Sequence, residues 1–202
     1  MTLADKVTAL RLILAPLFFI VYLIPGLSPR FLGEDFRWTV PVLWVLFALS
    51  EASDLMDGKL ARSRREVSDF GKLFDPFSDI MVRITYFLCF TLDGTLSGFP
   101  LLVILYREFS IQFLRNLMMK KKVVMAARWG GKIKAVAYMI TGAAALLAAS
   151  AERLGLADPL VRLPRLAARG LFYAAALVAV ISFIDYLALY RKTPAPQHGE
   201  NS

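Results

Sequence analysis

The chain alternates long apolar runs with short, strongly basic stretches, a pattern that predicts membrane helices before any single residue is considered. Leu12–Pro29, flanked by Arg11 and Arg30, holds 18 residues without a charge. At about 1.5 Å per residue such a run nearly crosses a hydrocarbon core of roughly 30 Å. Further apolar runs lie at Trp38–Ser50, Ile80–Leu92, Gly94–Tyr106, Ala135–Ala151 and Gly170–Ile184. Several are short and need their charged flanks held within protein or at the headgroups. The pattern therefore predicts an all-α integral membrane bundle of six transmembrane helices within residues 1–192. A cleaved leader is the rival reading of the first run, because Lys6 and Arg11 resemble a charged n-region; no small-x-small site follows it, and more apolar runs come later. Residues 193–202 contain two prolines and no apolar run, and read as a disordered tail in which His198, the only histidine, is a solvated side chain.

Orientation follows from the distribution of Lys and Arg between the two sides of such a bundle. With six spans, 17 of the 24 basic residues fall on the side that carries both termini, six fall on the other, and Arg83 interrupts the third run. Both termini are thus expected in the cytoplasm, with Arg83 facing the bundle interior or reaching for an interface. The stretch Arg153–Arg169 brings four arginines to the outer side, where few are expected, and reads as a short amphipathic helix along the membrane surface.

Composition agrees with this picture. Hydrophobic residues make up 57% of 202, above the roughly 45–50% apolar content of soluble domains, and the mean hydropathy is +0.56. The formal net charge of +8 favours anionic headgroups or phosphorylated substrates as partners. With Cys89 the only cysteine, an intramolecular disulfide is impossible and a cysteine-rich metal site is excluded.

The informative carboxylates are concentrated in one place. Asp54, Asp57, Asp75 and Asp79 follow one another at spacings of 3, 18 and 4. Asp54 and Asp57 share one helix face, Asp75 and Asp79 another, and a hairpin through residues 63–70 lets the two faces meet. Four close carboxylates repel one another unless cations neutralise them. Oxygen ligands favour hard divalent ions, Mg2+ or Mn2+, and the lack of a plausible histidine or cysteine ligand argues against zinc. Such ions also bridge and polarise phosphates. Gly58 and Gly71 leave room beside them for a flat base or a diphosphate, and Arg62, two turns beyond Asp54, suits a fork-like contact with phosphate oxygens. The bland alternative, ordinary helix-end charges at a membrane interface, explains any one of these aspartates but not the whole register.

That register, Asp54-x2-Asp57-Gly58-x2-Ala61-Arg62-x8-Gly71-x3-Asp75-x3-Asp79, resembles the signature of the CDP-alcohol phosphatidyltransferase family at eight fixed residues over 26 positions. The resemblance implies a six-helix membrane enzyme, usually a homodimer, that transfers a phosphatidyl group from CDP-diacylglycerol to an alcohol and releases CMP. It further implies that Asp54, Asp57, Asp75 and Asp79 hold two divalent ions, that Gly58, Ala61, Arg62 and Gly71 contribute to the CDP site, and that Asp79 is the general base.

Outside the signature, Thr8-x2-Arg11, Arg107-Glu108, Leu114-Arg115 and Gly131-Lys132-x-Lys134 are similar to stretches of bacterial family members that use glycerol 3-phosphate. The resemblance, looser here, spans roughly residues 5–145; Asp5, Ala135 and Tyr138 depart from residues often found in such members. Arg107, Arg115, Lys132 and Lys134 are accordingly expected to bind the acceptor's phosphate. Physically, four such cations suit an anionic acceptor, glycerol 3-phosphate or inositol 1-phosphate, better than uncharged inositol or another neutral alcohol; serine is a further alternative acceptor within the family. The positive-inside rule by itself explains basic residues such as the exposed run Lys120-Lys121-Lys122. The expected location is a bacterial inner membrane, multi-pass, with the active site facing the cytoplasm and no nucleic acid as partner. Aspartate-rich prenyltransferases are a rival enzyme class lacking the Gly-x2-Ala-Arg element, and a small membrane carrier or scaffold is the non-enzymatic rival.

Overall fold

A computed structural model describes residues 3–27, 36–64, 69–120 and 129–192. Among them are six helices and no strand: α1 (Leu3–Leu27), α2 (Thr39–Arg64), α3 (Asp69–Leu92), α4 (Gly98–Lys120), α5 (Trp129–Arg153) and α6 (Asp158–Lys192). The expected all-α bundle is therefore found, with helices that extend past the apolar runs at one or both ends. Even α4, with 23 residues, is roughly 34 Å long and matches a hydrocarbon core. Three helices carry an apolar stretch long enough to cross a membrane by composition, within Thr8–Gly26, Gly131–Arg153 and Asp158–Arg191. α2, α3 and α4 have shorter apolar stretches because their polar residues include Glu51, Asp79, Arg83, Arg107 and Glu108, which turn inward.

The outer surface has the character that lipid requires. Ile13, Leu17 and Ile20 of α1, Phe99, Leu102, Tyr106, Phe109 and Phe113 of α4, and Leu177, Ile181 and Ile184 of α6 are exposed large apolar side chains. Their spacing of three and four residues makes apolar stripes that a water-soluble monomer would not leave open.

Side-chain pairs fix the helix directions. Thr8 meets Asp75, and Phe18 packs tilted against Tyr86 and edge-on against Phe90, so α1 and α3 run parallel. Phe47 packs on Tyr86 and Glu51 faces Arg83 at 3.7 Å, so α2 runs antiparallel to α3. Phe18, Tyr22, Phe47, Tyr86, Phe87, Phe90 and Phe172 form an aromatic core. α5 and α6 make the most extensive pair, with buried Ala145, Ala149, Ala168, Ala175, Ala176 and Ala179 in the core they share. Small residues let two backbones approach where lipid supplies no hydrophobic drive. In this up-and-down order the starts of α1, α3 and α5 and the ends of α2, α4 and α6 lie at one end of the bundle.

The opposite end is closed by arginines. Arg153 donates to Thr39 Oγ1 at 2.8 Å and to the Tyr22 carbonyl at 2.7 Å, and its guanidinium lies 4.4 Å from the Tyr22 ring centroid. Tyr22 donates to Asp93, whose carboxylate also accepts from the Thr95 amide at 2.8 Å. Arg169 donates to the Thr95 carbonyl at 3.1 Å and to the Gly94 carbonyl, and Arg165 pairs with Glu152. Gly94 and Gly155 take positive φ values of 76° and 67° at the turns after α3 and α5, where a side chain would be strained. The expectation of a separate surface helix over Arg153–Arg169 is corrected by this arrangement: a turn at 154–157 leads directly into α6, which runs unbroken for 35 residues. Two of the α6 arginines are held within the fold, Arg169 by backbone carbonyls and Arg165 by Glu152. The expected tail, 193–202, lies outside the described residues.

Candidate active site

At the end where α1 starts and α6 finishes, α1 and α3 bring two polar faces together. Thr8 and Arg11, three residues apart on α1, are buried, and Asp75 and Asp79, one turn apart on α3, face them. Thr8 Oγ1 donates to Asp75 Oδ1 at 2.6 Å, and the Arg11 guanidinium donates to Asp79 Oδ1. The Arg11 side chain is 2% exposed, whereas that of Asp79 is 37% exposed. One carboxylate group is thus gripped from behind and open in front.

In front of Asp79 lies a cavity of about 260 Å³. Its walls include Pro76, Asp79 and Arg83 of α3, Arg107, Glu108, Gln112 and Arg115 of α4, Gly131, Lys132, Lys134 and Tyr138 of α5, and Tyr186 of α6. Five residues singled out in the sequence, Asp79, Arg107, Arg115, Lys132 and Lys134, therefore share one space although they come from three helices. Asp75 sits a turn further toward the start of α3. Asp54, Asp57, Gly58, Ala61 and Arg62 belong to α2 and Gly71 to α3, but their side chains lie outside the described residues.

The cations around the cavity are not equivalent. Glu108, 3% exposed, accepts from Arg107 Nη1 with both oxygens at 3.0 Å, from Lys134 Nζ at 2.8 and 3.0 Å, and from the Tyr138 hydroxyl at 3.0 Å. The remaining donors of Arg107 are also engaged, Nε to the Ala179 carbonyl at 3.3 Å and Nη2 to Ser182 Oγ at 3.0 Å. Arg115 lines the same cavity without a hydrogen-bonding or ionic partner among the described residues. Arg83 faces the interior, pairing with Glu51 and donating to the Ala135 carbonyl at 3.2 Å.

Arg83 turns inward as its place within an apolar run predicted, whereas nothing in the sequence assigned roles to Glu108, Tyr138 or Tyr186. Glu108 stood beside Arg107 in the similar stretch, but adjacency along a helix does not reveal that its carboxylate collects three donors. Thr8 and Arg11 carried a usable signal, since an i,i+3 pair on one helix can match an i,i+4 pair of carboxylates on a parallel neighbour.

A basic cavity with an aspartate on its wall, at one end of an apolar bundle, suits a membrane enzyme that handles phosphorylated substrates, and comparison with known proteins is specific on this point. The family model for CDP-alcohol phosphatidyltransferase matches residues 1–182. The chain belongs to the CDP-alcohol phosphatidyltransferase family. It is 34% identical over 194 residues to a CDP-diacylglycerol–glycerol-3-phosphate 3-phosphatidyltransferase of Treponema pallidum, covering 94% of this chain and 89% of that protein. A probable phosphatidylglycerophosphate synthase of Mycobacterium tuberculosis is 31% identical over 92% of this chain and 80% of its own length. The Bacillus subtilis CDP-diacylglycerol–glycerol-3-phosphate 3-phosphatidyltransferase is 31% identical over 72% and 76%.

The CDP-alcohol phosphatidyltransferase family generally depends on divalent metal. Two carboxylates one turn apart on α3 offer the oxygen-only donors that a hard cation takes, and the open side of Asp79 leaves access to it. On this observation the residues present fit such an ion.

Proposed function

We propose that this transferase moves the phosphatidyl group of CDP-diacylglycerol onto glycerol 3-phosphate, giving phosphatidylglycerol phosphate and CMP. The observation that carries the reading is the cavity in which Asp79 faces Arg115, Lys132 and Lys134, because it sets a carboxylate base opposite cations suited to a phosphorylated alcohol. Relatives named for glycerol 3-phosphate over most of their length support this acceptor above inositol 1-phosphate, inositol or serine.

The antiparallel register of α2 and α3 supports the metal-binding reading. Phe47 lies against Tyr86 and Glu51 against Arg83; continuing one turn toward the loop brings positions 54 and 57 of α2 level with 79 and about 76 of α3. Asp54, Asp57, Asp75 and Asp79 are the donors assigned to two divalent ions, Mg2+ or Mn2+, which when bound neutralise the diphosphate and stabilise the departing CMP. Gly58, Ala61, Arg62 and Gly71 are assigned to the cytidine diphosphate.

The acceptor lies in the cavity with its phosphate toward Arg115, Lys132 and Lys134 and its hydroxyl toward Asp79. Asp79 takes the hydroxyl proton as the oxygen attacks the phosphorus attached to diacylglycerol; a new P–O bond forms, the bond to CMP breaks, and CMP leaves with the electron pair. Arg11, holding the other side of the Asp79 carboxylate, fixes the direction in which it accepts the proton. The acyl chains stay in lipid beside the apolar outer faces. The active site and both termini face the cytoplasm of a bacterial inner membrane, and the protein works as a homodimer, on the family resemblance.

CMP release from CDP-diacylglycerol, measured in detergent with glycerol 3-phosphate, inositol 1-phosphate, inositol and serine offered separately, tests the acceptor. Release with glycerol 3-phosphate is expected. Release with another acceptor only would replace the substrate assignment.

A further inference from the structure

A carboxylate in the wall of a phosphate-binding cavity is at first sight misplaced, since it repels the ligand that the cavity is meant to attract. Glu108 escapes this conflict by its contacts. Its two oxygens take five hydrogen bonds from Arg107, Lys134 and Tyr138, all between 2.8 and 3.0 Å, and it is 3% exposed. The carboxylate faces protein donors from α4 and α5, and Arg107 passes the link on to α6 through Ala179 and Ser182.

The cations it touches are thereby divided into two kinds. All three nitrogens of the Arg107 guanidinium are bonded within the protein, so this arginine acts as a strut between helices. Lys134 has three N–H groups, and among the described residues its ammonium donates hydrogen bonds to Glu108 alone while lining the cavity. A lysine on a flexible four-carbon stem otherwise samples many positions. Two bonds to a fixed carboxylate restrict it to one and leave donor capacity for a ligand.

We propose that Glu108 is a positioning residue for the acceptor site: held by Arg107 and Tyr138, it aims the Lys134 ammonium at the acceptor's phosphate. This rests on the reading of the cavity as the acceptor site. It assigns Lys134 and Arg115 to direct phosphate contact and Arg107 to support behind them.

The test is steady-state kinetics of full-length protein in detergent, varying glycerol 3-phosphate and CDP-diacylglycerol separately. Glu108→Gln keeps the shape and removes the charge; KM for glycerol 3-phosphate should rise by about 10- to 100-fold, as for other residues that orient a ligand-binding group, with KM for CDP-diacylglycerol almost unchanged. Glu108→Asp should recover part of the loss. In a Lys134→Met background the same Glu108→Gln change should add less than about threefold, because residues acting through one another are not additive. An unchanged KM for glycerol 3-phosphate in Glu108→Gln, equal rises for both substrates, or full additivity with Lys134→Met overturns the proposal. Should Glu108→Gln fail to fold, Tyr138→Phe removes one bond to the carboxylate without changing charge. It is expected to raise the same KM by about two- to fivefold, and no rise there overturns the proposal equally. Wild-type protein that releases CMP only with an unphosphorylated acceptor would instead overturn the functional reading on which this one rests.

Discussion

Asp79 shows how one side chain can be both fixed and available. Arg11 binds one of its oxygens from the buried side while more than a third of the side chain stays open toward the cavity. Replacing Asp79 by Asn should lower turnover by about 10²- to 10⁴-fold, the usual size of a lost general base, while CDP still binds; near-normal turnover would exclude Asp79 as the base. Thr8 and Asp75 make the parallel contact one turn away. The i,i+4 spacing of the two aspartates was legible in the sequence because a helix imposes it. Their pairing with Thr8 and Arg11 was not legible, since 67 or 68 residues separate the partners and local periodicity says nothing about which helices become neighbours. The clamp around Glu108 was no more legible, because a carboxylate beside an arginine in sequence reads as an ordinary surface pair.

Helix ends and helix contacts explain where the hydropathy pattern succeeds and where it misleads. Apolar runs located all six helices, but they marked only the lipid-facing or buried middle of each and missed the polar turns that carry the site. The arginines between 153 and 169 misled because a charge count cannot see that Arg153 and Arg169 bind backbone carbonyls and Arg165 binds Glu152. Arg153 joins α5 to the end of α1 and the start of α2, so Arg153→Ala removes two partly buried hydrogen bonds between helices. Thermal unfolding in detergent should show a loss of stability of about 1–3 kcal/mol, with KM values for both substrates little changed because the cavity lies at the other end. A second contact is steric: a Cβ at Gly142 of α5 would come within 3.1 and 3.3 Å of the Phe47 ring of α2. Phe47 is itself buried beside Trp44 and Tyr86, so Gly142→Val should overpack this joint and cost about 1–3 kcal/mol. Wild-type stability of that variant would mean that α2 and α5 are less closely packed than described.

The bundle has a polarity from end to end. One end holds the cavity, the start of α1 and the end of α6; the other is closed by arginines bonded to carbonyls, threonine and glutamate. In the orientation proposed here the first end faces the cytoplasm, where a soluble phosphorylated acceptor is met, while the lipid donor arrives laterally past exposed apolar stripes. Orientation can be checked with single cysteines in a Cys89→Ala background, because Cys89 is fully buried. A cysteine at position 157 should react with an impermeant maleimide in intact cells, and one at position 201 only after permeabilisation; the reverse result would invert the molecule. The central claim, that the cavity joins a phosphorylated acceptor to a lipid-borne diphosphate, is tested most directly by CMP release from purified protein with CDP-diacylglycerol, magnesium and glycerol 3-phosphate. Release should need all three and fall by about 10²- to 10⁴-fold in Asp79→Asn. No release with any acceptor, from protein shown to be folded, would contradict it.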